Sequence, residues 1–145
     1  MRCLRLVPLV ALLLCTACGG GSLDPSADGP LRLTTVVDHP NVAPGEHITI
    51  THRLENSGSQ TVVLHFSDGC QIDSFVRNLG TGEVQQLAGA VCTLALTELE
   101  LSGGASKTWE DVVALSRGRY GAYATVTDMN AAFTLRSGTA TFEVN

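Results

Sequence analysis

Residues 46–56, EHITITHRLEN, alternate so regularly that this one stretch decides the class of the fold. Along an extended strand successive side chains point to opposite faces. Ile48, Ile50, His52 and Leu54 therefore share one face, and His47, Thr49, Thr51 and Arg53 share the other. An apolar face backed by a polar one is what a strand covering a core on one side requires. The single imidazole among the apolar side chains reads as a hydrogen-bonded core residue rather than a ligand.

The same period of two extends outward in both directions. Upstream, residues 31–38 (LRLTTVVD) form a strand closed by HPNVAPGE, where Pro40 and Pro44 lack amide donors and Gly45 suits a turn. Downstream, NSGSQ turns the chain into residues 61–66 (TVVLHF), with Val62, Leu64 and Phe66 pointing one way and His65 outward. SDG precedes a strand over 70–78 (CQIDSFVRN), and LGTG reads as a tight hairpin into 83–88 (EVQQLA). Residues 91–101 (VCTLALTELEL) are apolar and β-leaning, and 107–115 (KTWEDVVAL) and 117–128 (RGRYGAYATVTD) follow. AFTLRS and GTATFEV read as one last strand broken or bent at Gly138. Turns fall at intervals of about ten residues and no helical periodicity lasts three turns, so residues 31–145 are expected to form one all-β, antiparallel sandwich. Trp109, the single tryptophan, is assigned to its inter-sheet core.

Ahead of this domain the chain opens MRCLRLVPLVALLLCTACGGG. Arg2 and Arg5 supply a basic start, Leu6 to Leu14 an apolar run interrupted by Pro8, and Thr16 and Ala17 the small residues of a secretory signal. The run is too short for a transmembrane helix. Thr16-Ala17-Cys18 resembles the lipobox of bacterial lipoproteins, with Cys15 in the slot usually held by leucine. The expectation is a signal peptide over residues 1–17, lipid on the Cys18 thiol, and a flexible tether over 18–30. Two or three acyl chains, each buried methylene contributing about 0.8 kcal/mol, would anchor the protein firmly to the cell envelope. Gly19 stands where aspartate marks inner-membrane retention in many Gram-negative systems, which favours the outer membrane, facing the periplasm.

The 145-residue chain carries 9 basic and 14 acidic residues. Losing Arg2 and Arg5 with the signal leaves seven against 14, a net charge of −7. An acidic domain with scattered basic residues excludes nucleic acid, whose phosphates it would repel, and electrostatic docking on anionic lipid. Of five cysteines, Cys3 and Cys15 leave with the signal and Cys18 takes lipid. Cys70 and Cys92 remain, and in an oxidising compartment they are most simply one disulfide.

The residues give little chemistry beyond this. His47 and His52 lie on opposite faces, and His39 and His65 complete no tetrahedral ligand set, so no metal site is assigned. No nucleophile elbow, zinc-protease helix motif or phosphate-cradling loop is present. Asp68 and Asp73 around Cys70, and Glu110 beside Asp111, read as solvated carboxylates, and Ser67 and Ser74 have no assignable base. No catalytic residue and no cofactor is expected.

From ITITHRLENSGSQTVVLHFSDGCQIDSFVRNLGTGEVQQL, through TELELSGGASKTWEDVV, to RGRYGAYATV, the chain resembles the BsuPI-type intracellular proteinase inhibitor domain family over about residues 46–127. Asn56, Phe66, Asp73, Gly80 or Gly82, Leu101, Gly104, Trp109, Gly118 and Tyr120 carry the likeness, although EVQQL lacks the aromatic usual after the hairpin. The resemblance implies an immunoglobulin-like sandwich with Tyr120 as its tyrosine corner, and a protein partner, either a proteinase or another envelope protein. Inhibition would use a surface loop. The candidates are Ser67, Asp68, Gly69 and Gln71 on one side of the bridge, and Leu87, Ala88, Gly89 and Ala90 on the other. The alternative is a non-inhibitory structural or assembly module of the envelope. Sugar binding is disfavoured by the few aromatics.

Overall fold

The computed structural model describes residues 27–87, 92–131 and 133–145. The signal peptide, Cys18 and most of the tether lie outside these, as do Ala88, Gly89 and Ala90. The described residues form twelve strands in chain order: β1 (Ala27–Asp28), β2 (Leu31–Val37), β3 (Asn41–Val42), β4 (His47–Asn56), β5 (Val62–Phe66), β6 (Asp73–Asn78), β7 (Val84–Gln86), β8 (Thr97–Leu101), β9 (Ser106–Ala114), β10 (Gly118–Asp128), β11 (Phe133–Arg136) and β12 (Ala140–Val144). No helix occurs among the described residues.

The alternation of residues 46–56 becomes the centre of the first sheet, β1-β2-β4-β9. Antiparallel pairing sets Leu33 opposite Leu54 and His52 opposite both Thr35 and Trp109, so the inward faces of three strands align. The second sheet runs β3-β12-β10-β6-β7, and β5 and β8 form a separate two-stranded ladder. β11 and β12 lie along successive halves of β10, with a one-residue slip in register between Arg136 and Ala140. That slip is a bulge at the site where Gly138 was expected to bend a single strand. The connector after β2 contains β3, which pairs parallel with β12, while the other pairings among the described residues are antiparallel.

Two apolar clusters fill the space between the sheets. One joins Leu33, Leu54, Leu64, Phe66, Leu101, Val126 and Leu135, and the other Ile48, Ile50, Val76, Tyr120, Phe142 and Val144. Tyr120 Oη donates to the Ser116 carbonyl at 2.9 Å, the corner bond that the likeness implied. Asn56, which ends β4, is wholly buried. Its Nδ2 donates to the carbonyls of Gln60 (2.7 Å) and Leu101 (2.9 Å), and its Oδ1 accepts from the Gly58 amide (3.0 Å). One side chain thus shapes the following turn and ties β4 to the end of β8.

Three sequence expectations need correction. The strand expected over 70–78 begins only at Asp73, because Gln71 adopts a left-handed φ of 64° that breaks the extended chain. The strand expected over 91–101 begins only at Thr97, and residues 93–96 are exposed loop. Trp109 is half-buried and packs on the first cluster from β9, the outermost strand of its sheet, with Lys107 Nζ 5.9 Å from its ring centroid.

Candidate functional site

Between the two apolar clusters, His52 is 0% exposed and fully partnered. Its Nδ1 lies 2.8 Å from Thr35 Oγ1, which lies 2.6 Å from Ser137 Oγ. Its Nε2 lies 2.7 Å from Ser74 Oγ and 3.5 Å from Asp111 Oδ2. The chain continues through Ser137, whose Oγ accepts from the Ala124 amide (2.9 Å) and donates to the Gly138 carbonyl (2.9 Å), while Ser74 and Asp111 meet on the Nε2 side of the ring. The His52 hydrogen bond holds the Asp111 carboxyl below its ordinary value against the opposing effect of burial, and Ser74 adds to the lowering. Asp111 is therefore an inward, bonded carboxylate, not a solvated one, and Ser74 does have an imidazole beside it.

The constellation is nevertheless not a hydrolytic triad. In a triad the serine and the carboxylate occupy opposite ring nitrogens, so that the base can relay a proton. Here Ser74 and Asp111 share Nε2, Thr35 holds Nδ1, and the ring is sealed from substrate. The chain of hydrogen bonds joins β2, β4 and β9 of one sheet to β6 and the β11–β12 bulge of the other. It works as an inter-sheet bolt. Only His52 was identifiable from sequence, since nothing in their spacing showed that Thr35, Ser74, Asp111 and Ser137 converge on it.

The exposed chemistry gathers where β5 passes into β6. Cys70 and Cys92 are disulfide-bonded, with Cα atoms 5.3 Å apart, as the cysteine count implied. Around the bridge the two segments are laced together. Asp68 Oδ1 accepts the Cys70 amide (2.9 Å), the Gly69 amide donates to the Thr93 carbonyl (2.9 Å), and Thr97 Oγ1 donates to the Asp68 carbonyl (2.6 Å). Gln71 Nε2 reaches Thr97 Oγ1 and the Glu98 carbonyl. Asp68 lies within ligand distance of both sulfurs, but sulfurs bonded to each other are not thiolate ligands, so the trio is no metal site.

The sequence-selected loop residues divide by role. Ser67 and Gly69 are exposed, whereas Asp68 and Gln71 are half-buried and act as the lacing. Leu87 packs on the second apolar cluster, and its amide donates to the Ser74 carbonyl at 2.7 Å, which draws it into the fold. What sequence reasoning missed is on the other flank of the bridge. Leu94 is 97% exposed and Leu96 74%. Asp68, Asp73, Gln71 and Phe66 help line a cleft of about 90 Å³. Shielding from water pushes the Asp73 carboxyl up, and the Asp68 charge adds to the rise.

No curated protein matches the chain. Among solved structures, Spo0M, the sporulation control protein from Bacillus subtilis, is 12% identical with a TM-score of 0.50, over 81% of this chain and 50% of that one. An alkylpurine DNA glycosylase from Pseudomonas fluorescens is 17% identical (TM-score 0.49) over 80% of this chain and 30% of its own. A beta-glucosidase from Listeria innocua is 12% identical (TM-score 0.47) over 79% of this chain and 16% of its own. The chain thus spans a third or less of the glycosylase and the glucosidase, and half of Spo0M, whose likeness concerns the fold alone. A family model described as BsuPI, intracellular proteinase inhibitor, matches residues 36–131, about two thirds of the chain. That span takes in β3 to β10, the buried Asn56 and the disulfide-laced corner, and the chain belongs to the BsuPI intracellular proteinase inhibitor family.

Proposed function

We propose that the chain is a non-enzymatic, lipid-anchored proteinase inhibitor of the cell envelope, which presents the corner around Cys70–Cys92 to its target. The observation that carries the reading is the family match, which spans that corner. The physical support is preorganisation. Loops held by a covalent bridge and cross-segment hydrogen bonds lose little conformational freedom on docking, and that saving appears as affinity. Export is supported by the leader-like opening and by a bridge that suits an oxidising compartment. The Tyr120 bond supports reading the sandwich as immunoglobulin-like.

The test is a titration of serine, cysteine and metalloproteinases with the full protein, purified in detergent. Loss of one enzyme's activity in proportion to added protein, ending near equimolar, is the expected outcome. A panel left fully active by a tenfold excess would favour the envelope-scaffold alternative.

A further inference from the structure

We infer that Leu94 and Leu96 are the side chains that enter the target, and that the target is a proteinase whose substrate pockets accept large aliphatic residues. This rests on the inhibitor reading above. Six leucines are core, Leu31, Leu33, Leu54, Leu64, Leu101 and Leu135, each at most 3% exposed, and the next most exposed of the described leucines after Leu94 and Leu96 is Leu79, at 40%. Leu94 and Leu96 are the reverse, and no other large apolar side chain among the described residues is as exposed as either. A single exposed leucine needs no explanation. Two in one short segment do, the more so since Leu96 shares a recess with Phe66 and Met129, the latter itself half exposed.

The backbone around them is fastened on both sides. Cys92 is bridged to Cys70, the Thr93 carbonyl accepts from Gly69, and Thr97 is bonded to Asp68 and Gln71. Only Leu94, Ala95 and Leu96 lie between these fixings. The arrangement is a three-residue apolar projection on a rigid base, the shape that fits a cleft rather than a flat surface.

Charge narrows the partner. The segment 92–97 has no lysine or arginine, and its neighbours Asp68 and Glu98 are acidic. A pocket with an acidic floor, built for basic side chains, gains nothing from leucine and is repelled by those carboxylates. A pocket with apolar walls gains the burial of each leucine.

The experiment measures inhibition constants of the full protein against two serine proteinases, one preferring leucine and one preferring arginine. The wild type is expected to inhibit only the first. Leu94→Asp and Leu96→Asp should each weaken inhibition about 30-fold or more, the loss typical of a contact hot spot. Leu94→Arg should shift inhibition toward the arginine-preferring enzyme. Both positions are on the surface, and unchanged melting temperatures would exclude misfolding as the cause. If the wild type inhibits and both aspartate variants inhibit within threefold of it, the inference fails and the inhibitor reading stands. A wild type that acts only on the arginine-preferring enzyme also overturns the inference. If it inhibits no proteinase of any class, the inhibitor reading itself fails, and the inference with it.

Discussion

Asn56 and His52 are polar side chains buried on the inward face of β4, and each is tolerated because its hydrogen bonds are made within the protein. Truncating Asn56 to alanine strands the Leu101 carbonyl it serves and frees the 57–60 turn. The expected loss is about 2 kcal/mol or more, read as a lower urea midpoint with an unchanged slope. Asp111 adds a pH dependence. Its folded pKa lies below the unfolded one, so its contribution is complete above the ordinary carboxylate value near 4 and is lost as pH falls through the lowered folded value. Asp111→Asn should therefore cost about 1–2 kcal/mol at pH 7, and the difference from wild type should shrink in acid below about pH 4. Denaturation curves at several pH values check the sign. A gap that widened on acidification would mean that the carboxylate is not held by His52.

At the scale of elements, the bridge and its lacing define the corner. In the chain-entropy model a cross-link between residues 22 apart stabilises by about 3 kcal/mol, so Cys70→Ser with Cys92→Ser should lower the unfolding free energy by about that amount. Inhibition should fall as well, since the projection loses one of its fixings. The β8–β9 turn is equally constrained: a Cβ on Gly103 would lie 2.7 Å from the Ser59 backbone, and Gly103→Ala should cost about 1–3 kcal/mol. Strands were legible wherever alternation was long, as in β4, β9 and β10. They were misread at residues 70–72 and 92–96, where composition favours a strand but the cross-links between the two segments hold a loop. The bridge followed from counting cysteines, and the environment of His52 from its lone place on an apolar face. The partners of His52 were hidden because β2, β6, β9 and the bulge meet only in three dimensions. Leu94 and Leu96 were hidden because a leucine in a sequence looks the same whether it fills a core or projects into solvent.

For the whole molecule, a sandwich bolted between its two larger sheets and stapled at one corner matches what a rigid inhibitor needs, and the proposed lipid would confine it to a surface. If Cys18 carries that lipid, Cys18→Ser should move the protein from the membrane to the soluble fraction, and mass spectrometry of the wild type should find an amino terminus at Cys18 bearing two or three acyl chains. Retention of the intact leader would overturn the anchoring. The acidic surface should also make association depend on salt if the target is basic, weakening as ionic strength rises.

Amide hydrogen exchange of the full protein, with and without its proteinase bound, tests most directly whether the stapled corner is the docking face. Slower exchange confined to residues 67–71 and 92–97, with the outer faces of both sheets unchanged, is the expected result. Protection elsewhere on the sandwich, with the amides of residues 92–97 exchanging as fast as in the free protein, would contradict it.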